Sequence, residues 1–116
     1  MPPRDIRALL HDIIEACRAV ESLISASNLE RYKTDRHLRA SVEREFITIG
    51  EALRCAADLD ESVENVIADT PKVIAFRNSL VHRYDKVDNE VVWHIASLHA
   101  PMLRSQAEEL LASYKP

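Results

Sequence analysis

Four polar side chains interrupt an apolar run in the segment VIAFRNSLVHRYD, residues 73–85: Arg77, Asn78, His82 and Tyr84. On an α-helix that turns by about 100° per residue, Arg77 lies at the centre of the apolar stripe, with Tyr84 about 20° from it if the helix extends that far. Asn78 and His82, four residues apart, form a row on the adjacent flank. The pattern predicts two neighbouring polar rows on one half of a single helix.

Arg77 on an apolar stripe requires an anionic partner, because arginine keeps its charge and an unpaired buried charge is strongly unfavourable. Two kinds of partner satisfy this requirement. The structural alternative is an internal ion pair, for which Glu43 and Glu51 are the candidates. The functional alternative is a phosphate that Arg77 binds bidentately in a cleft, for instance between two subunits.

A phosphate-binding arginine beside a histidine is the minimum equipment for cleaving RNA without a metal. In that reaction the ribose 2′-OH attacks the adjacent phosphorus, a proton is transferred, and charge builds on the phosphate oxygens. Histidine suits proton transfer at neutral pH, so His82 fits the first role and Arg77 the second. Asn78 can orient His82 or hydrogen-bond the substrate, and Tyr84 can stack on a base or position a phosphate.

Length and composition indicate one folded domain, residues 1–116. Hydrophobic residues make up 47% of the chain and charged residues 29%, as in ordinary globular proteins. The chain shows neither a long apolar run nor a basic-then-apolar leader, so we expect a cytoplasmic protein with no membrane segment. A net charge of −4 disfavours nucleic-acid binding through bulk charge. The basic stretch 31–44 remains a local candidate, with a solvated helix face as the alternative.

The residue spacings predict no metal site and no cofactor. Cys17 and Cys55 lack CxxC spacing, which argues against both a zinc site and a disulfide framework, so we interpret them as small core residues. The histidines show neither HxxxH nor HExxH spacing. Any chemistry is therefore expected to come from the side chains of residues 77–84.

Apolar residues recur every three or four positions in four segments, which predicts an all-α protein. The single glycine leaves almost no material for hairpin turns. We expect an antiparallel up-down bundle of four main helices, with a polar connection at 27–34 and a short connecting helical turn within 58–69. The predicted helices run from Asp5 to about Ala26, over 38–57, from Thr70 to Arg83 or Tyr84, and from about Glu90 to Ser113.

Individual residues refine these boundaries. Asp5 is a plausible N-cap, and Thr70 followed by proline at the first helical position is a strong start signal. Asp88 or Asn89 is expected to cap the last helix, in which Pro101 is expected to introduce a kink. Gly50 interrupts the second helix, where we expect another helix to approach closely.

The stretch RNSLVHRY, residues 77–84, resembles the Arg-x4-His-x-Tyr motif of the HepT family, within the HEPN superfamily of ribonucleases. The flanking sequence FRNSLVHRYDKVDNEVVW, residues 76–93, and the segment IGEAL, residues 49–53, are also similar to that family. The likeness in helix pattern covers nearly the whole chain.

The resemblance implies a metal-independent endoribonuclease toxin of a toxin–antitoxin system that forms a homodimer whose two motifs line a shared cleft. Arg77 and His82 would be the catalytic pair, and Asn78 would support them. The implied partner is an MntA-like nucleotidyltransferase antitoxin, which would neutralise the toxin by AMPylation of the motif tyrosine, Tyr84. Phosphates added there would block RNA by charge and bulk.

Two rival interpretations remain open. The first is a non-catalytic HEPN binding or scaffold protein that keeps the nucleotidyltransferase partner but cleaves nothing. The second is a purely structural helical bundle in which Arg77 is salt-bridged. The combination of Arg77, Asn78, His82 and Tyr84 favours the ribonuclease, because a scaffold has no need of it.

Overall fold

The four long helices form where the apolar periodicity places them. The computed structural model of the protein describes residues 5–114, apart from the side chain of Tyr84, and the all-α prediction is confirmed. The helices are α1 (Ile6–Ser25), α2 (Leu29–Thr34), α3 (Arg36–Leu59), α4 (Val63–Val66), α5 (Thr70–His82) and α6 (Asn89–Ser113), with a 3₁₀ turn at Tyr84–Lys86.

Side chains cap the starts of α1, α3 and α6, and the caps predicted at Asp5 and Asp88 are confirmed. Asp5 accepts a hydrogen bond from the backbone N–H of Arg7 at 2.8 Å at the start of α1. Asp35 caps α3, and Asp88 caps α6 by accepting from the N–H groups of Glu90 and Val91. These bonds satisfy amides that have no partner within the helix.

The prediction of a polar connection at 27–34 is wrong, because a short helix, α2, occupies most of it. Asn28 caps this helix by accepting from the N–H of Arg31 at 2.9 Å. Tyr32 is fully buried and its ring lies 5.6 Å from that of Trp93 on α6. One aromatic anchor stabilises this helix, and six residues are too few for sequence analysis to detect a helical periodicity.

Helix α5 begins at Thr70, but Thr70 is not its N-cap as the sequence predicted. Thr70 is its first helical residue, Asp69 precedes it, and Pro71 follows. The Thr70 hydroxyl is buried and donates to the carbonyl of Ile67 at 2.6 Å. It therefore bonds to a residue that precedes the helix and does not cap the first amides of α5. At the other end, α5 stops at His82, so Tyr84 lies outside it.

The helices pack around a core in which α1 lies against α3 and α6, and α3 also lies against α5. Between α5 and α6 an apolar groove of about 200 Å³ remains, lined in part by Phe46, Phe76 and Ile95. Within residues 5–114, no helix has both the length and the apolar character needed to cross a membrane. The core is therefore built mainly on α1 and α3, with α5 as an outer layer that carries the polar motif.

Candidate active site

Helix α5 contacts α3 at Gly50, which places Arg77 directly against the α3 backbone. A methyl group added at Gly50 would overlap Arg77 Cβ and lie 2.7 Å from Arg77 Cγ. Glycine is therefore required by the close approach of the two helices rather than by an unusual backbone angle, since Gly50 has no positive φ. The predicted close approach is confirmed, and the approaching residue is Arg77 itself.

The Arg77 guanidinium is held from two sides. One terminal nitrogen, Nη2, lies 3.3 Å from Oε2 of Glu51, and the other, Nη1, donates to Oδ1 of Asn78 at 2.9 Å. Its Nε is buried and has no hydrogen-bond partner among the described residues. The side chain is 25% exposed. Arg77 is thus anchored at its base, and its terminus keeps N–H groups that can bind an anion.

Of the two carboxylates expected to pair with Arg77, the structure selects Glu51. Glu43 is half-buried, and its desolvation raises its pKa, with Arg39 acting in the opposite direction. Glu51 also accepts from Nη2 of Arg54 at 2.6 Å. The hydrogen bond from Arg54 is the main cause that lowers the pKa of Glu51, and the charge of Arg77 lowers it further. Glu51 therefore stays ionised between two arginines.

Glu51 gives the protein a pH-dependent contribution to its stability. A carboxylate whose pKa falls below its ordinary value of 4.5 on folding stabilises the folded state above that pH, and this stabilisation is lost as the pH falls through the lower folded value. We expect wild type to unfold at a higher temperature than Glu51→Gln near neutral pH, and the difference to shrink below about pH 4.5. The difference in unfolding temperature is measured at each pH by thermal unfolding followed by circular dichroism.

The control for that measurement is Glu64→Gln, which removes an acidic charge from an exposed site on α4. Its effect on the unfolding temperature is expected to be small at every pH. A difference between wild type and Glu51→Gln that stays constant across the acid range would contradict the assigned ion pairs.

Arg77 opens onto a cleft between α1 and α3, called the Arg77 cleft below, with a volume of about 450 Å³. Helix α1 contributes Leu9 and Asp12 to it. Its other lining residues are Arg44, Ile47, Thr48, Glu51, Ala52 and Cys55 from α3 and Arg77 from α5. Arg77 therefore lines a concave surface of mixed polarity, which is typical of ligand sites.

His82 is exposed at the last position of α5. A five-residue step along an α-helix separates it from Arg77 by about 7.5 Å along the axis and about 140° around it. Asn78 accepts a hydrogen bond from Arg77, whereas the expected roles were to orient His82 or to hydrogen-bond the substrate. Tyr84 lies in the 3₁₀ turn rather than on the Arg77 stripe, and its side chain is outside the described part of the structure.

Sequence analysis did not identify two side chains of the site, Arg54 and Arg44. Arg54 shares Glu51 with Arg77, and its i,i+3 spacing from Glu51 is a signal that a search for helical ion pairs would find. Arg44 lines the cleft but was grouped with the basic stretch 31–44. Elsewhere in that stretch Lys33 pairs with Glu90 at 3.7 Å and Arg39 donates to the carbonyl of Lys33, as expected for a solvated helix face.

Comparison with known proteins identifies relatives along almost the whole chain. Two proteins of Methanocaldococcus jannaschii, each named as a candidate RNase, are 26% and 28% identical to it over 113 and 109 residues. These alignments cover 96% and 93% of this chain and 91% and 98% of the relatives. A protein of Caldanaerobacter subterraneus subsp. tengcongensis with the same kind of name is 23% identical over 111 residues, which are 94% of this chain and 96% of the relative.

No solved structure shows significant similarity to the chain. The family model described as "Ribonuclease HepT-like" matches residues 13–110, which run from the middle of α1 almost to the end of α6. The match includes Gly50, Glu51, Arg77 and His82. The family expected from the resemblance is thereby confirmed, and this chain belongs to the HepT-like ribonuclease family.

Proposed function

We propose that this protein is a metal-independent endoribonuclease toxin of a toxin–antitoxin system, in which Arg77 binds the scissile phosphate and His82 transfers the proton. The observation that carries the proposal is the placement of Arg77. Its base is pressed against Gly50, its guanidinium is held by Glu51 and Asn78, and the residue lines the cleft. A preorganised cation of this kind stabilises charge that develops on a phosphate without reorganising during the reaction.

In the proposed reaction the ribose 2′-oxygen attacks the adjacent phosphorus and the bond from phosphorus to the 5′-oxygen breaks. The 2′-OH loses its proton and the departing 5′-oxygen gains one, which yields a 2′,3′-cyclic phosphate and a 5′-OH end. His82 acts on one of these protons, since an imidazole both accepts and donates a proton near neutral pH. Arg77 stabilises the negative charge on the phosphate oxygens.

Glu51 allows Arg77 to exchange its partner for a phosphate. When RNA phosphate takes the terminal N–H groups of Arg77, Glu51 keeps its 2.6 Å hydrogen bond to Arg54 and is not left as an uncompensated charge. Asn78 takes the supporting role, since its side-chain oxygen holds Nη1 of Arg77.

A homodimer is part of the same proposal. Because Arg77 and His82 point in directions about 140° apart on α5, one copy alone does not bring both to the same side of a phosphate. A second copy beside α5 brings its own His82 towards Arg77. Apolar side chains on α6 support such an association, since exposed apolar patches mark interfaces. Leu98 is 68% exposed, and Val91 and Met102 are also exposed.

The reaction is tested with purified protein, a single-stranded RNA and an excess of EDTA. Cleavage that persists in EDTA and leaves 2′,3′-cyclic phosphate ends supports the proposed chemistry, and induction of the protein without its partner is expected to arrest growth. Cleavage that EDTA abolishes and that divalent cations restore would contradict the assigned mechanism.

The second candidate function is a non-catalytic binding protein that partners a nucleotidyltransferase. The observation that favours it is the ion pair of Arg77 with Glu51, since an arginine whose charge is already compensated has no need of RNA. Under this alternative the protein neither cuts RNA nor arrests growth, although it still binds the nucleotidyltransferase.

Regulation by an MntA-like nucleotidyltransferase is expected to act on Tyr84, in the turn that follows His82. Added AMP groups bring negative charge close to the motif, where they repel RNA phosphate. Co-expression with the nucleotidyltransferase is therefore expected to increase the mass of the toxin in AMP steps, localised to Tyr84 by mass spectrometry, and to remove RNase activity.

The matched variant for this experiment is Tyr84→Phe, which removes only the acceptor hydroxyl. It is expected to escape the mass increase and to keep cutting RNA in the presence of the nucleotidyltransferase. Another tyrosine serves as an internal comparison, since Tyr32 is fully buried and should stay unmodified. AMP found elsewhere, with Tyr84→Phe still neutralised, would exclude Tyr84 as the control point.

A further inference from the structure

We propose that the Arg77 cleft is a substrate subsite that holds one unpaired nucleotide of the RNA next to the scissile phosphate, with Arg44 as its second phosphate contact. This inference rests on the function proposed above, in which Arg77 binds the scissile phosphate. Because Arg77 lines the cleft, a nucleotide joined to the phosphate that Arg77 binds has this concave surface beside it.

The shape and lining of the cleft suit a nucleoside. Its floor is apolar, formed by Leu9 and Ala52, which are buried, and by Ile47, which is half-buried. Polar groups are found around this floor, including the hydroxyl of Thr48 and the carboxylate of Glu51. A base places its flat apolar faces against such a floor and its polar edges against the rim. The volume of about 450 Å³ is within the usual range for small-ligand sites.

Two arginines line the cleft, Arg44 from α3 and Arg77 from α5. Arg44 precedes Gly50, the contact point of Arg77, by six residues on α3, which corresponds to about 9 Å along the helix axis. Both side chains are long, and Arg44 is exposed. Two cations that line the same cleft let a single nucleotide lie between them with a phosphate bound at either side.

The cleft selects single-stranded RNA. A base that enters it has to leave its stack and its partner, which loops and single strands permit and a duplex resists. The carboxylate of Glu51 can accept a hydrogen bond from an exocyclic amino group of adenine, cytosine or guanine. The expected ligand is therefore an unpaired nucleotide within a single strand.

Binding is tested with His82→Ala protein, which is expected to bind RNA without cutting it. In that background Arg44→Gln is expected to weaken binding of a labelled single-stranded RNA about tenfold and to lower the slope of log affinity against log salt by about one. Arg44→Lys is expected to retain the salt slope, since it keeps the charge. Fluorescence anisotropy over a series of salt concentrations measures both quantities.

The matched control is Arg18→Gln, which removes an exposed arginine from α1 at a site outside the cleft. It is expected to change the affinity less than twofold. Equal weakening of RNA binding by Arg44→Gln and Arg18→Gln would overturn the subsite. The loss of affinity would then come from the change in net charge and not from a contact in the cleft. A stronger effect of Arg44→Gln on duplex RNA than on single-stranded RNA would overturn it as well.

The two thiols of the protein provide a second test of the same cleft. Cys55 lines it, whereas Cys17 is fully buried and its burial raises its pKa to about 12, so Cys17 is protected from thiol reagents. Single-stranded RNA is expected to slow alkylation of Cys55 about threefold or more in His82→Ala protein, and a duplex is expected to have little effect. Unchanged labelling of Cys55 at saturating single-stranded RNA would overturn the proposed path.

These tests separate the subsite from the catalytic function. If the variants at Arg77 and His82 cut RNA normally, the proposed function fails whatever happens at Arg44. If they are inactive, but Arg44→Gln binds RNA as tightly as Arg18→Gln does, the function stands and only the subsite is overturned.

Discussion

His82→Ala is expected to abolish RNA cleavage, with a loss of about 10²–10⁴-fold, the range for removing a general acid–base group. Arg77→Ala is expected to lose at least as much, because it removes the cation that binds the phosphate and stabilises its developing charge. Arg77→Lys keeps the charge but not the planar fork, so only a small part of the activity is expected to return.

These losses are measured as rates of cleavage of a single-stranded RNA and as growth arrest on induction. Ser79→Ala provides the matched control, since Ser79 is an exposed residue of the same helix whose hydroxyl donates to the carbonyl of Ala75. It is expected to retain wild-type activity. Helical content and molar mass in solution should be the same for all variants, which separates a lost reaction from a lost fold.

Normal toxicity in His82→Ala would contradict the catalytic assignment outright. If His82→Ala loses activity but Arg77→Ala does not, the role of Arg77 is structural and consists of its ion pair with Glu51. If none of the proteins cuts RNA, including wild type, the result contradicts the ribonuclease proposal and favours the non-catalytic binding protein.

Gly50→Ala is expected to have the second largest effect. Alanine in a helix is favoured over glycine by about 1 kcal/mol, which would stabilise α3 in isolation. The new methyl group, however, would overlap Arg77 Cβ and approach Arg77 Cγ. These atoms lie next to the α5 backbone, so rotation of the side chain cannot relieve the overlap of the β-carbons and the helices have to separate. Overpacking of this kind costs about 1–3 kcal/mol.

The expected result is a net loss of stability of about 1 kcal/mol, measured by urea unfolding, with a much larger loss of RNase activity. Activity should fall further than stability because separating α5 from α3 displaces the guanidinium of Arg77 from Glu51. Activity is compared well below the unfolding temperature, so that unfolded protein does not contribute to the loss.

Arg77→Gly provides the structural control, because it removes the two carbons that the new methyl group would meet. In that background Gly50→Ala is expected to be neutral or stabilising, so the two substitutions should be strongly coupled in a double-mutant cycle. A Gly50→Ala protein that is both more stable and fully active would show that the close contact imposes no constraint on the site.

The sequence alone determined the helical class, the long helices and the chemical problem that Arg77 poses. Apolar spacing and capping residues such as Asp5 and Asp88 are local signals, and the structure follows them because each helix must bury one face and satisfy its first amides. Gly50 also indicated a close helix contact before the identity of the contacting residue was known. The motif at residues 77–84 carried the family resemblance, and the match over residues 13–110 confirms the family.

Only the tertiary structure decided which carboxylate pairs with Arg77. Glu43 lies seven residues before Gly50, so it shares nearly the same face of α3 but lies about 10 Å further along the axis. Glu51 is adjacent to the point where α5 comes closest, and proximity at that point determines the pair. The register between two helices depends on side chains from both. It therefore cannot be predicted from the periodicity of one helix.

The same reason applies to the rest of the site. The separation of Tyr84 from α5, the use of Asn78 by Arg77, and the position of Arg44 in a cleft with Cys55 all depend on how distant parts of the chain meet. Residue types and spacing reveal which chemistry a chain can perform. The packing of α1 and α5 on α3 determines which of those side chains face the same ligand.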